Sequence, residues 1–263
     1  MGNAVVKIFG MPNITEAEVD PKNNSMFLNG TQYHVNQLSW EPPVSGTIYG
    51  VLLNYQGAFH RYREQMTHSP YNEPPKAPIL YIKPINTLSG YRSPIPLPED
   101  ADELEVGAAL GVVIGRTATK VKEEEAFQYV AGYTVVNDVA IPHENIYRPA
   151  IRERARDGFN PVGPWIIKKE SIVDPDSLDI RVFVNGKLAQ KNNTKNFIRP
   201  VARLLADITE FMTLYPGDVL LTGVPEQAPL VKAGDHVRIE IEGVGSLENT
   251  IVHEADYVKG AVR

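Results

Sequence analysis

The apolar stretches of this chain are short, rich in valine and isoleucine, and cut at close intervals by 21 prolines and 20 glycines. β-Branched residues pack well on a pleated surface, while proline and glycine end helices, so the pattern favours strands. TIYGVLLNY, ILYIKPINTL, VLLTGV and HVRIEIEGVG read as strands of a mainly β, α+β fold with a few helices. In residues 1–45, AVVKIF and SMFLNGTQYHV, an Asn29-Gly30 turn and the proline-bearing WEPPVSG predict a small N-terminal β appendage ahead of a domain over 46–263. Three helices are expected. Phe59, Tyr62 and Met66 have the spacing of a short surface helix, and Glu123, Glu124 and Glu125 open one over EEEAFQYVAG that Gly132 would end. Phe197, Val201, Leu204, Leu205, Ile208, Phe211 and Met212 form one stripe behind Pro200, the third helix.

With a net charge of −6 and a pI near 5.6, neither nucleic acid nor an anionic membrane is the expected partner. The absence of cysteine removes disulfides, thiolate zinc sites and cysteine nucleophiles. No stretch reaches the ~20 apolar residues of a membrane helix, and the first residues do not read as a secretory signal, so a cytoplasmic protein is expected.

Two stretches carry candidate chemistry. In ADELEVGAALGVVIG, Glu103 and Glu105 are two residues apart, so on a strand they share a face and could together hold a hard divalent cation. In YVAGYTVVNDVAIP, Asn137 and Asp138 end an apolar strand. Asp138 suits a metal ligand or a base there, or a turn residue bonded to its own backbone. The arginines that follow, Arg148, Arg152, Arg154 and Arg156, could clamp a carboxylate-rich substrate through bidentate bonds, or pair with nearby acids on a solvated loop.

GVLLNY, YIKPINTLSG, GVVIGRTATKV, YVAGYTVVNDV, RDGFNPVGPW, VNGKLAQKNNT, TLYPGDVLLTGVP and GDHVRIEIEGVGSLEN, in this order, resemble the fumarylacetoacetate hydrolase superfamily from Thr47 to the end of the chain. SPYNEPPKAP, GRTATKV, YRPAI and RDGFNPVG look most like its branch of isomerase/decarboxylases of 4-hydroxyphenylacetate (homoprotocatechuate) degradation, as their amino-terminal half or separate subunit. The resemblance implies a mixed β-roll. It also implies a divalent cation (Mg or Mn) on a Glu-x-Glu pair and an Asp, chelating a 2-oxo acid and stabilising its enolate. Dimers are common in the superfamily, so a homodimer or a hetero-oligomer with a metal-bearing paralogue is implied.

Carried over residue by residue, the resemblance makes Asp138 the aspartate ligand and places Gly107 and Ala109 where the family has its glutamates. Glu103 and Glu105 stand four residues upstream, about 13 Å along a strand, whereas a ligand oxygen must come within about 2.6 Å of the ion. The expectation is therefore a degenerate site whose metal is weakly held or absent. The family's Tyr-x-x-His becomes Tyr55-Gln56-Gly57-Ala58, with His60 two places late, and its active-site lysine becomes Arg154. Its Thr-Gly-Thr-Pro turn becomes Thr222-Gly223-Val224-Pro225, and Lys83 of YIKP is kept. The resemblance then implies Asp138, Arg154 and Lys83 as catalytic residues, and Tyr55, Arg148, Arg156 and Thr222 as contacts to a small 2-oxo di- or tricarboxylate. The alternative for Lys83 is a core-edge lysine with a solvated tip. Three readings follow: a decarboxylase/isomerase subunit; a structural partner of a metal-bearing paralogue; and a fumarylpyruvate-type C–C hydrolase, which the missing histidine disfavours.

Overall fold

A computed structural model describes residues 1–143 and 150–261. The N-terminal strands β1 (Gly2–Val6), β2 (Thr15–Asp20), β3 (Ser25–Leu28) and β4 (Thr31–His34) form an antiparallel meander. Asn29 and Gly30 join the last two with φ of 51° and 80°. Both central residues of the tight hairpin turn need positive φ, which asparagine and glycine tolerate. Next come β5 (Ile48–Leu52), α1 (Gln56–Met66), β6 (Ile79–Lys83), β7 (Leu88–Ser89), β8 (Ile95–Leu97), β9 (Leu104–Glu105), β10 (Ala108–Ile114) and β11 (Val130–Asn137). The chain continues through α2 (Ile151–Arg154), β12 (Asn160–Lys168), β13 (Asp179–Val184), β14 (Lys187–Asn193), α3 (Val201–Thr209) and β15 (Val219–Leu221). It closes with β16 (Leu230–Val231), β17 (His236–Ile241), β18 (Gly245–His253) and α4 (Glu254–Ala261).

The largest sheet runs β4-β3-β2-β1-β12-β11-β10-β15-β5-β6, and β7 adds to it by pairing with β12. Beyond β6, a single 3-10 turn (Ile85–Thr87) leads straight into β7, which lies parallel to β12. The sheet therefore curls back on itself, bringing β6 and the end of β11 together although they are far apart in pairing order. A second sheet, β14-β13-β17-β18-β8, packs across the roll, where Trp165 donates to the Val244 carbonyl at 2.7 Å. Residues 1–45 extend the curled sheet through β1, which pairs with β12, and Trp40 stacks edge-on against Trp165 at 6.1 Å.

Strand alternation sorts the central strands into two apolar faces. Leu110, Val112 and Ile114 of β10 join the large core between the sheets. Ala109 and Val113 join a smaller cluster with Val136, Val162, Val219 and Leu221 inside the roll.

Two of the expected helices change. Residues Glu123–Tyr129 form a 3-10 helix, and the chain enters β11 at Val130, so Gly132 lies inside a strand rather than ending a helix. The mostly buried strand that starts at Val130 and carries Thr134, Val135 and Val136 outweighs the helix signal, and a Cβ on Gly132 would strike the Ile167 carbonyl of the neighbouring strand. In α3, Val201, Leu204, Leu205 and Ile208 are buried as the stripe requires, but Pro200 is the N-cap, Phe197 precedes the helix and Phe211 is 69 % exposed beyond its end. The short surface helix around Phe59, Tyr62 and Met66 is α1.

Candidate active site

The site is built on the inward face of the roll. β11 ends in the β-branched run Thr134, Val135 and Val136 before Asn137, and the next residue, Asp138, donates its backbone N–H to the Gly107 carbonyl at 2.8 Å. Gly107 donates in turn to the Asn137 side-chain oxygen at 3.1 Å. Two residues beyond Val136, the Asp138 side chain faces the interior and is fully shielded from solvent. On β6, Tyr81 and Lys83 are two apart and so share a face, opposite Gly50 and Ile48 of β5. Gly50 is required here, because any Cβ would penetrate the Tyr81 ring, which lies across the strand toward Asp138.

Three donors converge on this carboxylate. Lys83 Nζ stands 3.0 Å from Oδ1, Arg154 donates to Oδ2 at 2.9 Å, and the Tyr81 hydroxyl donates to Oδ2 as well. Lys83 Nζ also donates to the carbonyls of Val139 at 3.1 Å and Arg154 at 2.8 Å. Two carbonyl acceptors and a carboxylate counter-charge thus hold the ammonium, which is how a lysine persists at 2 % exposure. The alternative of a lysine with a solvated tip is corrected: the whole side chain, head group included, is shielded from solvent. Arg154, the last residue of α2, lies over the Tyr81 ring at 5.1 Å, and its side chain is 18 % exposed.

The electrostatics follow from these contacts. Burial raises the Asp138 carboxyl, but Lys83 and Arg154 beside it outweigh burial and hold it below the usual carboxylate range. Burial lowers Lys83, with Asp138 opposing. Burial also disfavours the charged Arg154, but Asp138, with Glu105 adding to it, leaves its pKa raised. Burial first, then the Asp138 charge, pushes the Tyr81 phenol far up, so it remains a donor. Two cations, Lys83 and Arg154, face the one Asp138 carboxylate, and the Glu105 charge acts on Arg154 as well.

A depressed carboxyl stabilises the fold above its unfolded pKa of about 3.9, because at lower pH the unfolded chain takes up the proton first. That contribution is lost as pH falls through the lower folded value. The urea midpoint is expected to drop below about pH 4, more steeply than in a Lys83→Met/Asp138→Leu variant that lacks the pair. Equal pH profiles for the two proteins would contradict the assignment.

The donor set does not fit a three-carboxylate metal centre. Among the described residues no group of three or more His, Asp or Glu side chains converges. Gly107 and Ala109 are fully enclosed, and a Cβ at Gly107 would collide with the Asp138 carbonyl, so the backbone there leaves no room for a glutamate side chain. Only Glu105 of the candidate pair lies in a strand, the two-residue β9, which pairs with β16 and bridges Ala140. Glu103 lies before that strand.

Asp138, Lys83 and Arg154 come together, but the other candidates stand elsewhere. Tyr55 is the N-cap residue of α1, buried edge-on against Phe197 at 4.8 Å. Arg156 grips Asp100 at 2.8 and 3.0 Å, so it takes the loop-pairing alternative. Thr222 donates to the Leu110 carbonyl at 3.2 Å, tying the TGVP turn to β10. Arg148 lies outside the described residues. His60 is exposed on α1. Sequence reasoning missed Tyr81, although the Tyr-x-Lys spacing on a strand already places it beside Lys83.

The model of the fumarylacetoacetate hydrolase C-terminal family matches residues 47–252. Over 213 residues the chain is 41 % identical to the 4-hydroxyphenylacetate degradation bifunctional isomerase/decarboxylase of Escherichia coli, covering 81 % of this chain and 48 % of that protein. The Salmonella dublin protein of the same description is 44 % identical over 218 residues, 82 % of this chain and 49 % of its own. The chain thus spans about half the length of these curated relatives. Among solved structures, the 2-hydroxyhepta-2,4-diene-1,7-dioate isomerase of Mycobacterium marinum superposes with a TM-score of 0.79 at 27 % identity, covering 96 % of this chain and 99 % of that one. The 5-carboxymethyl-2-hydroxymuconate delta-isomerase of Mycobacterium smegmatis gives 0.78 at 28 % identity, covering 95 % and 98 %.

Proposed function

We propose that this chain, which belongs to the fumarylacetoacetate hydrolase family, is a subunit of the decarboxylase/isomerase of 4-hydroxyphenylacetate (homoprotocatechuate) catabolism. Its substrates in this reading are 5-oxopent-3-ene-1,2,5-tricarboxylate, which loses CO2, and 2-hydroxyhepta-2,4-diene-1,7-dioate, which is isomerised to its 2-oxo form. The relatives and structural neighbours support the substrate class. The observation that carries the mechanism is the convergence of two cations, Lys83 and Arg154, on the one Asp138 carboxylate.

Both reactions pass through an enolate. In decarboxylation the C2–CO2 bond breaks and its electron pair is delocalised through the C3=C4 double bond onto the C5 oxo group. A preorganised cation beside that oxygen stabilises the transition state more than the ground state. Arg154 reaches the surface and meets the substrate. Lys83 and Asp138 fix its backbone and one face of its guanidinium, and Tyr81 stacks beneath it. With Gly107 and Ala109 in place of glutamates, no step in this reading passes through a metal.

The second reading, a structural partner of a metal-bearing paralogue, draws on the same geometry. Lys83 is bound to two carbonyls and paired with Asp138, and the Tyr81 hydroxyl donates to the same carboxylate, as in a site closed upon itself. One assay separates the two. The purified chain is given each substrate alone, with chelator, and with a metal-bearing paralogue added. We expect turnover by the chain alone that chelator leaves unchanged. Turnover only on mixing would replace the catalytic reading with the structural one.

A further inference from the structure

The isomerisation moves a proton, and the Asp138 cluster has no group free to carry it. Arginine does not deprotonate in proteins, Lys83 is held by two carbonyls and the Asp138 charge, and two cations hold Asp138 as the carboxylate. Among the described residues, the buried carboxylate oxygens without a hydrogen-bond partner are Asp138 Oδ1, which is ion-paired to Lys83, and Glu226 Oε2. Glu226 is therefore the carboxylate with a free oxygen.

Its setting is built rather than incidental. The Thr222 N–H donates to the Leu110 carbonyl at 3.1 Å and the Val106 N–H to the Pro229 carbonyl at 2.9 Å, so the loop between them arches past residues 107–109 of the chain. That is the segment against which Asp138 is hydrogen-bonded, and Glu226 stands in the middle of the arch. Gln190 fastens the loop by donating to the Glu226 carbonyl at 2.7 Å, and Asn192 donates to Oε1 at 3.3 Å, leaving Oε2. The carboxylate lies against Gly57 in the first turn of the 11-residue α1, where a Cβ would overlap it and where the helix dipole favours negative charge. The Tyr55 hydroxyl, on a fully buried ring, also has no hydrogen-bond partner. Burial and the nearby Glu226 charge keep it protonated.

We propose that Glu226 is the proton-transfer residue of the isomerisation, with Tyr55 as the neighbouring hydroxyl donor; this rests on the isomerase reading above. The Glu226 carboxylate takes the proton of the substrate 2-hydroxyl, and the O–H electron pair forms C2=O. The C2=C3 pair shifts to C3=C4, and the C4=C5 pair accepts a proton at C5 from the same carboxyl in its acid form. One proton leaves oxygen, one arrives at carbon, and no electrons are gained or lost.

The test compares the parent chain with Glu226→Gln, which keeps the size and the Asn192 contact, and with Glu226→Asp. General acid–base groups typically contribute on the order of 10²–10⁴ in rate. Glu226→Gln is expected to lower isomerisation kcat about 100-fold or more, with KM within threefold and deuterium incorporation at C5 in D2O slowed in parallel. Glu226→Asp is expected to recover part of the rate, which a purely structural loss would not show. An active parent and a folded Glu226→Gln variant that isomerises within threefold of it would overturn the role of Glu226 alone. A parent inactive on the dienoate would overturn both this proposal and the isomerase reading.

Discussion

Asp138→Ala is expected to destabilise the protein by about 3–5 kcal/mol, the usual effect of removing one partner from a buried ion pair. The loss does not measure attraction alone. The substitution leaves an ammonium with no side-chain exposure without its counter-ion, and removes the acceptor of both Arg154 and Tyr81. The same reasoning gives the opposite expectation for removing the pair as a unit. Lys83→Met with Asp138→Leu deletes both buried charges and leaves Arg154 its partial route to water, so the double variant is expected to be more stable than Asp138→Ala. Urea unfolding midpoints at pH 7 test both statements. With the Lys83→Met and Asp138→Leu single variants added, the cycle closes and gives the coupling energy between positions 83 and 138. A single alanine variant as stable as the parent would mean that water or backbone groups replace Asp138, and would remove the electrostatic argument for the site.

How far the sequence anticipates this site depends on the residue. The strand alternation of YIKP and of the Val-rich stretch before Asp138 is local, and β6 and β11 form where it places them. The convergence of these two strands is not local. It depends on the curl closed by the pairing of β7 with β12, two short segments whose own patterns carry no sign of it. Gly50 shows the same limit: its strand reads correctly, but the Tyr81 ring that makes glycine necessary comes from across the sheet. Gly132 failed as a helix stop because the closeness of the Ile167 backbone, invisible in sequence, governs that position. The Glu103/Glu105 pair gave a plausible metal pattern only on the assumption of a continuous strand, whereas β9 ends at Glu105 and pairs away from the centre of the sheet. The family resemblance singles out Asp138 and Arg154 as candidates, and the ion pair between them arises from the fold.

Arg154→Met is expected to lower kcat/KM for both proposed reactions about 100-fold or more, roughly 2.7 kcal/mol of transition-state stabilisation. The size follows from its position. It is the second cation on one buried carboxylate, and at 18 % side-chain exposure it is the member of the Asp138–Lys83–Arg154 set that touches solvent, since Asp138 and Lys83 have none. Methionine keeps most of the apolar stem over Tyr81 but removes the charge, so the effect on folding should be small beside that on turnover. Arg154→Lys should fall between parent and Met. A lysine restores a point charge but cannot donate to Asp138 and to a substrate oxygen as a planar fork does. Steady-state rates of the chain alone and with a metal-bearing paralogue decide what the residue is for. A loss in the chain alone places the chemistry at Arg154. Wild-type rates in the mixture together with no activity in either chain alone would instead make the Asp138 cluster a structural plug, where the same charges hold β6, β11 and α2 together.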